Sequence, residues 1–455
     1  MSFASQIEDR PQLAEDLWLL RTLRFTKPAS KWPELGRDAY QRLVLSDAVA
    51  LYLTTDEPDG LVAAFYMPEN NILYLAKSGS SDPRYVAESN LFFDTLTSAD
   101  GSEDLFPFLA RRSCNRINKR IRKLHKSLKF CHVDLFNRLR EYEPTETEFH
   151  GPWYRIFIKI LQAEYQLDTP SSKEVLIHAI TFCEDRLKKN PEFSDKTESH
   201  RPFFELLCAA STLLNSQFYE RFERVLHTRL ERRLEKFVDY LAVSRLIKVW
   251  RRYGRDTRIE WITGVEQSRI PRVLTTAGVG ERHLNREVDE TKSYRPDLFS
   301  NMNWRYRGWQ GDATKGITFV PCMHAEINLI LHLMSNVKNF QSQVDEPLPI
   351  GSGERTCFAC SLWMDEFNRI LKMKWTTSGN NGKPGYNWAL PNAEAIVPYV
   401  GVEGYNRITS HICQGVTDAI GGVIRDEVVK AIESFHDRCY SESMEKLRLE
   451  AAKQS

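Results

Sequence analysis

Two short patterns in the last third of the chain bring metal-binding side chains close together in sequence. The first is His-Ala-Glu at residues 324–326, and the second is Cys-Phe-Ala-Cys at residues 357–360. Each pattern occurs once in a chain with 11 His and 9 Cys. Each also opens an amphipathic stretch with helical spacing, so both predict metal-binding side chains at the start of a helix.

One imidazole and two thiolates form a ligand set that suits a tetrahedral zinc ion. Cys357 and Cys360 lie one helical turn apart, so a helix that begins there directs both sulfurs to the same side. The partial positive charge of the helix N-terminus helps to keep the thiols ionised. With His324 as the third ligand, the fourth position stays open, which is typical of a catalytic zinc site.

Glu326 offers the proton chemistry that such a site needs. A zinc-bound water has its pKa lowered from about 15.7 to about 7, so it resembles hydroxide at neutral pH. Glu326 follows His324 by two positions, where its carboxylate can take a proton from that water and deliver protons to a ring nitrogen and the leaving ammonia. The pattern therefore predicts a hydrolytic deaminase.

Two other interpretations of these residues are open at the level of the sequence. Cys322 precedes His324 by two positions and is a potential fourth ligand, which would make a closed structural zinc site without catalysis. Alternatively, the cysteines are buried thiols and the histidine a surface residue, with no metal between them. The position of Cys322 relative to the other candidate ligands distinguishes the closed site from the open one.

Residues 318–391 resemble the cytidine-deaminase-like superfamily, in which a His-x-Glu pattern precedes a Cys-x-x-Cys pattern. The phrase Pro-Leu-Pro-Ile-Gly-Ser-Gly-Glu-Arg-Thr-Cys-Phe-Ala-Cys at 347–360 and the Trp-Ala-Leu-Pro at 388–391 are similar to a branch that is widespread in fungi. In that branch a predicted nucleic-acid or nucleotide deaminase domain is attached to a large helical region. The resemblance implies zinc as the cofactor, with the ligands His324, Cys357 and Cys360 and the proton shuttle Glu326.

The sequence departs from the superfamily pattern at two places. Thr356 stands where many members have a Pro before the first Cys. Many members also have a substrate-contacting Asn just after the second strand, and residues 77–79 here are Lys-Ser-Gly. The first departure leaves the ligand set intact, whereas the second argues against a standard nucleoside pose.

The resemblance implies an α/β fold with a three-layer α/β/α core that contains a helix, a hairpin and then the two motif-bearing helices. A hairpin is poorly defined just before His324. Residues 61–76 instead have two apolar runs around a turn, after a helix that ends near Leu53. We therefore predict a core that is split by a large all-α insertion or accessory domain. The predicted segments are 1–84 (first part of the core), 85–315 (helical insertion), 316–410 (zinc deaminase-like core) and 411–455 (C-terminal helix).

Several residues near the motifs are candidates for substrate contacts. Tyr386 and Trp388 follow a Gly-rich loop and could stack on a base. The other candidates are adjacent to the zinc motifs or take the place of the missing Asn. This set consists of Ala325, Thr356, Lys77 and Ser78.

A basic stretch at residues 111–129 has nine Lys or Arg and no acid. On a helix, its polar face could bind phosphates of a nucleotide or a single-stranded nucleic acid. A solvated face, or one paired with acidic helices, is the alternative. The candidate nucleic-acid patch consists of Arg112, Arg116, Lys119, Arg120 and Lys123.

Periodicity predicts the elements that position these residues. Helices are expected at 13–23 and 40–52, and strands at 61–66 and 72–76. Residues 105–265 are expected to be almost wholly helical. After the motifs, we predict strands at 373–377 and 395–402 and a long helix at 415–452.

Composition limits the class of protein. The chain has 455 residues, 42% of them hydrophobic, with 62 basic and 61 acidic side chains and a net charge of +1. Its length allows several domains, and the neutral balance means that any nucleic-acid binding must come from a local patch. Few, scattered cysteines and the absence of a signal-like N-terminus predict a cytoplasmic or nuclear protein with no membrane partner.

Two classes of function remain in view. The first is a zinc-dependent deaminase of a base in a nucleotide or nucleic acid. The second is a catalytically silent deaminase-like subunit that assembles with a protein partner or with a second copy of itself. The intact Glu326 favours the enzyme, whereas the missing Asn and the large helical region favour the binding subunit.

Overall fold

A computed structural model describes most of the chain, including both motifs. The described residues are 11–23, 25–27, 34–57, 60–78, 83–145, 148–149, 151–189, 192–222, 228–253, 256–262, 272–274, 317–336, 346–385 and 387–454. Across these ranges the protein is mostly helical and has one small mixed sheet and two short strand pairs. No helix in this part of the chain is long and apolar enough to cross a bilayer.

Helices account for most of the structure. They are α1 (Pro11–Thr22), α2 (Arg37–Leu53), α3 (Pro83–Ser98), α4 (Phe106–Glu141), α5 (Pro152–Tyr165), α6 (Ser172–Lys188), α7 (His200–Leu214), α8 (Gln217–Phe222), α9 (Thr228–Val238), α10 (Ala242–Tyr253), α11 (Ala325–Asn336), α12 (Phe358–Leu371) and α13 (Ala393–Gln454). Short 3-10 helices occupy Ser102–Leu105, Thr197–Ser199 and Asp239–Leu241. The strands are β1 (Val62–Met67), β2 (Ile72–Lys77), β3 (Arg258–Trp261), β4 (Arg272–Leu274), β5 (Ile317–Phe319), β6 (Leu348–Pro349), β7 (Gly351–Ser352) and β8 (Trp375–Thr376).

The main sheet joins parts of the chain that are far apart in sequence. Its strand order is β3-β2-β1-β7, with β1 antiparallel to both β2 and β7, and β2 parallel to β3. The predicted hairpin at residues 61–76 is confirmed as β1 and β2. Because β7 pairs with β1 at Ala63 and Ala64, the segment before the Cys-x-x-Cys pattern lies directly beside this N-terminal hairpin.

Alternate residues of the hairpin enter two different hydrophobic cores, as the two-residue period of a strand requires. One face packs with the helical region that follows the hairpin and contains Val62, Ala64, Leu73 and Leu75. The opposite face packs with α1, α11, α12 and α13 and contains Ala63, Phe65, Met67, Ile72, Tyr74 and Ala76. The second core therefore places both motif-bearing helices around one face of the hairpin.

Gly351 is required where β7 meets α2. A Cβ at this position would lie 2.0 Å from the carbonyl carbon of Ser46 and 2.1 Å from the amide nitrogen of Asp47. Only a residue without a side chain allows so close an approach between backbones. This contact brings Ser352, the next residue of β7, against α2.

Two of the predicted elements are wrong. Residues 395–402 form the start of α13, which is kinked at Gly401, and not a strand; Ile396 is buried in the core that also contains α12. Residues 258–261 were assigned to the helical region, but they form β3, whose alternation of polar and apolar residues matches its place beside β2. In both cases the packing partner decides between helix and strand.

Candidate metal centre

Both motifs stand at helix N-termini, as the sequence predicts. The amide of Ala325, the first residue of α11, donates a hydrogen bond of 3.3 Å to Ser78 Oγ at the end of β2. Cys357 is the N-cap residue of α12, and its Sγ accepts a hydrogen bond of 3.4 Å from the amide of Cys360. The hairpin therefore anchors the first motif, and the second motif caps its own helix.

The structure brings the three candidate ligands into one buried cluster. The ligand atoms of His324, Cys357 and Cys360 all lie within 4.8 Å of one another. The His324 ring approaches the sulfurs through Nδ1, which lies 3.5 Å from Cys357 Sγ and 3.4 Å from Cys360 Sγ. The open ligand set predicted from the sequence is therefore assembled around a common point.

The cluster is strongly polarised. Burial opposes ionisation of the Cys357 thiol, but hydrogen bonds from Cys360 and the positive charge of His324 lower its pKa well below the usual range. Burial alone would lower the pKa of His324, whereas the Cys357 thiolate raises it to about 9. Burial and the neighbouring thiolate raise the pKa of Cys360. One thiolate and one imidazolium thus stabilise each other in the protein alone.

The donors and their surroundings fit a zinc ion. One imidazole nitrogen and two sulfurs are the ligands of known catalytic zinc sites. The buried indole N–H of Trp388 has no hydrogen-bond partner within the described residues, yet it acts on Cys360 to lower the pKa of that thiol, against the larger effect of burial. If Cys360 bound zinc as a thiolate, its sulfur could accept a hydrogen bond from this N–H.

Gly385 closes the cluster on the side of the loop that follows β8. A Cβ on this residue would lie 2.8 Å from His324 Cε1 and 3.2 Å from Cys357 Sγ. The backbone of the loop therefore packs directly against two of the three ligands. Any side chain at this position would displace them.

Cys322 does not join the cluster, and this argues against the closed four-ligand site. Its sulfur is not within 4.8 Å of all three ligand atoms and accepts a hydrogen bond of 3.2 Å from Asn387 Nδ2. Its backbone forms a bridge with Trp388. Cys322 is therefore a framework residue that holds the loop after β8 beside the metal centre.

Glu326 is buried at the start of α11 and is held by a neighbouring strand. Ser352 Oγ donates a hydrogen bond of 3.2 Å to Glu326 Oε1, and the amide of Ser352 donates one of 2.9 Å to Asp47 Oδ1. Burial raises the pKa of Glu326, which the positive charge of His324 opposes. Burial also raises the pKa of Asp47 to about 8. Asp47 carries no motif signal, and Ser352 lies within the phrase at 347–360 without any mark of a role beside Glu326, so sequence reasoning missed both.

The predicted substrate-binding residues have different positions. Ser78 and Ala325 contact each other at the start of α11, and Trp388 is buried beside the ligands. Thr356 is also buried, where its Oγ1 donates a hydrogen bond of 3.0 Å to the Thr377 hydroxyl. Three of these side chains therefore contribute to the framework of the centre, and Ala325 contributes its amide.

Of the two remaining candidates, only Lys77 is among the described residues. The Lys77 ammonium lies 3.7 Å from Glu57 Oε2 and 3.9 Å from the centre of the Tyr85 ring, so this side chain already has partners elsewhere. Tyr386 and Gly79 lie outside the described residues.

The arginines of the candidate nucleic-acid patch are largely used within the protein. Arg112 is buried and donates to the carbonyl of Leu53, 2.7 Å away, and Arg116 donates to that of Leu51. Arg120 is half-buried and donates to the carbonyl of a residue in α9. Arg112 is therefore occupied inside the protein, whereas Arg116 and Arg120 are partly exposed; all three donate to carbonyl oxygens near the ends of helices, which bind guanidinium groups well. Lys119 and Lys123 are exposed, as predicted.

Comparison with known proteins supports the chemistry of this region. A family model described as "OTT_1508_deam:-like deaminase" matches residues 323–392, the segment that contains all three candidate ligands and Glu326. The comparisons with curated proteins and with solved structures gave no match.

Proposed function

We propose that this chain is a zinc-dependent deaminase that hydrolyses the amino group of a base in a nucleotide or a nucleic acid. The observation that carries this proposal is the buried His-Cys-Cys cluster with Glu326 on the same helix start, inside the segment that is similar to a deaminase family. Glu326 is the proton-transfer group that a purely structural site does not need.

The roles of the residues follow from their positions. His324, Cys357 and Cys360 would hold the zinc ion, which when bound supplies a water of lowered pKa as the nucleophile. The Glu326 carboxylate would accept a proton from the attacking water and give it to the ring nitrogen next to the amino-bearing carbon. A second proton passes through Glu326 to the amino group, which leaves as ammonia while the carbon gains a carbonyl oxygen. Ser352 holds the Glu326 carboxylate in place.

We also propose that the deaminase core is discontinuous and belongs to the cytidine-deaminase-like superfamily. In support, β1 of the N-terminal hairpin pairs with β7, and the hairpin, α11 and α12 share one hydrophobic core. Residues 1–84 and 316–410 would then form the core, with 85–315 as the insertion and 411–455 as the C-terminal helix. Residues 275–316 of this division lie outside the described residues.

The test is to load purified protein with zinc and to measure ammonia release from cytosine and adenine nucleosides, nucleotides and single-stranded RNA and DNA. We expect release from at least one substrate and its loss in Glu326→Ala and Cys357→Ala. Release that survives the loss of Glu326 would contradict the mechanism. Stoichiometric zinc without turnover on any substrate would favour the alternative, a binding or regulatory subunit.

A further inference from the structure

Four lysines from three separate parts of the chain converge beside the candidate metal centre. Lys119 and Lys123 lie on α4, Lys236 lies on α9, and Lys383 lies in the loop after β8. Lys119 and Lys383 each act electrostatically on Lys123, and Lys383 acts on Lys236. We call these four residues the lysine cluster. The family match covers only Lys383, so the cluster combines the helical region with the matched segment.

Reciprocal hydrogen bonds hold α4 and α9 together below the cluster. Arg233 Nη1 on α9 donates to the carbonyl oxygen of Lys123 on α4, 2.6 Å away. Arg120 Nη1 on α4 donates to the carbonyl oxygen of Lys236 on α9, 2.5 Å away. Arg233 and Arg120 thus fix the backbone at Lys123 and Lys236. Neither hydrogen bond uses a lysine ammonium group.

Further hydrogen bonds connect α9 to the metal centre. Arg232 Nη2 donates to the carbonyl oxygen of Asn381, 2.9 Å away, in the loop after β8. In the same loop, the carbonyl oxygen of Lys383 accepts a hydrogen bond of 2.8 Å from the amide of Phe358, the residue after Cys357. Gly385, two positions further, packs against the ligands. The loop that carries Lys383 therefore connects α9 to the metal centre.

The positive charge of the cluster is poorly compensated. Within the described residues, none of the four lysines has a carboxylate within 4.0 Å of its ammonium nitrogen, and Glu354 is the acid that acts most strongly on Lys123, Lys236 and Lys383. Burial and neighbouring cations lower the pKa of all three, that of Lys236 to about 8. Mutual repulsion of this kind costs stability, and it is typical of a site that binds an anion.

We propose that Lys119, Lys123, Lys236 and Lys383 form a phosphate-binding site beside the metal centre that binds the phosphate of the nucleotide whose base is deaminated. This inference rests on the proposed function for the identity of the substrate, whereas the anion site itself rests on the cluster. The metal centre would then bind the base and the cluster would bind the phosphate of the same nucleotide. The helical region thereby gains a role in substrate selection.

A free nucleotide and a single strand present the same phosphate chemistry, and binding measurements separate them. The variant Lys119→Gln/Lys123→Gln/Lys383→Gln removes three charges of the cluster. A matched control removes three exposed charges from the same helix, at Arg122, Lys126 and Lys129, which are not among the charges that act most strongly on Lys123, Lys236 and Lys383. The probes are a fluorescein-labelled single-stranded RNA of mixed sequence, cytidine and adenosine monophosphates, and the corresponding nucleosides.

We expect the cluster variant to bind at least one phosphorylated probe about tenfold or more weakly, while the control binds within about twofold of wild type. The affinity of the nucleosides should not change. If the cluster variant loses affinity for the RNA alone, the site binds a nucleic-acid strand. If it loses affinity for the monophosphates, the site binds a free nucleotide. If the RNA is the ligand, the slope of log affinity against log salt should become shallower by about 2.

Equal losses in the cluster variant and in the control, or no binding of wild type to any phosphorylated probe, would overturn the proposal. The binding assay is done with Glu326→Gln as well as with wild type. Lysine-dependent binding without ammonia release would retain the anion site and reject the enzyme. Ammonia release without any lysine-dependent binding would reject the anion site and retain the enzyme. Thermal unfolding checks folding, and the cluster variant should be at least as stable as wild type.

Discussion

The Ser352 hydroxyl lies 3.2 Å from Glu326 Oε1, although the two residues belong to different elements of the core. Ser352 is in the strand that pairs with the N-terminal hairpin, and Glu326 is in the first turn of α11. The amide of Ser352 is held in turn by Asp47 on α2. The carboxylate that is proposed to move protons is thus oriented by two successive hydrogen bonds, which connect Glu326 to Ser352 and Ser352 to Asp47 on α2.

Ser352→Ala should lower kcat about tenfold while it leaves zinc content and KM nearly unchanged. The lost hydrogen bond to a carboxylate is worth roughly 1.5 kcal/mol, and its role is to position Glu326 rather than to bind substrate. Ammonia release under saturating substrate measures the effect. Ser378→Ala is the matched control, because its hydroxyl lies 3.4 Å from Asp47 Oδ1 and has no hydrogen bond to Glu326. A kcat equal to that of wild type in Ser352→Ala would contradict the positioning role.

Asp47→Asn should change the pH dependence of stability. Burial raises the pKa of Asp47 from its ordinary value of 3.8 to about 8, so the folded protein retains a proton that the unfolded chain releases. The stability contributed by protonated Asp47 is complete below pH 4 and is lost as the pH rises to about 8. The advantage of the asparagine variant over wild type should therefore grow between pH 5 and pH 9.

Urea unfolding at these two pH values measures that difference. Asp38→Asn, which removes an exposed carboxylate from the same helix, is the control and should show no such trend. A difference between Asp47→Asn and wild type that is the same at both pH values would show that Asp47 is not protonated in the folded protein.

Gly385→Ala should weaken zinc binding about tenfold or more, because its Cβ would press on His324 and Cys357. Competition with a chromophoric chelator measures the affinity. Gly422→Ala is a suitable control, since no other atom lies within 4 Å of its added Cβ. Wild-type zinc affinity in Gly385→Ala would mean that the loop moves freely away from the ligands.

Cys322→Ala should retain about one zinc per chain, whereas Cys360→Ala should lose it. The reason is geometric: Cys360 belongs to the three-ligand cluster and Cys322 is bound to Asn387 instead. Elemental analysis of the purified variants gives the zinc content. Loss of zinc from Cys322→Ala would show that Cys322 is a fourth ligand and that the site is a closed structural one.

Local patterns in the sequence predict the parts of the site that follow local rules. The His-Ala-Glu and Cys-x-x-Cys spacings place ligands at helix starts, and the two apolar runs around a turn in residues 61–76 predict the hairpin. Long-range partners have no such signal. The pairing of Ala63 with Ser352 joins strands that are nearly 300 residues apart, so Asp47 and Ser352 were not predicted as part of the site.

Charge patterns in the sequence were less informative than the metal motifs. The basic composition of residues 111–129 predicts exposed lysines, and Lys119 and Lys123 are exposed. The same composition does not show that Arg112 binds a helix carbonyl inside the protein. Nor does it reveal Lys236 and Lys383, which come from other segments. Charge composition predicts that a patch exists, whereas the tertiary contacts of each side chain decide which residues form it.

The most direct test of the proposed function compares zinc-loaded wild type with zinc-loaded Glu326→Gln in an ammonia-release assay on nucleotides and single-stranded nucleic acids. We predict turnover by wild type and a loss of about a thousandfold in the variant, with equal zinc content in both proteins. Turnover that persists in Glu326→Gln, or no release by wild type from any of these substrates despite stoichiometric zinc, would contradict it.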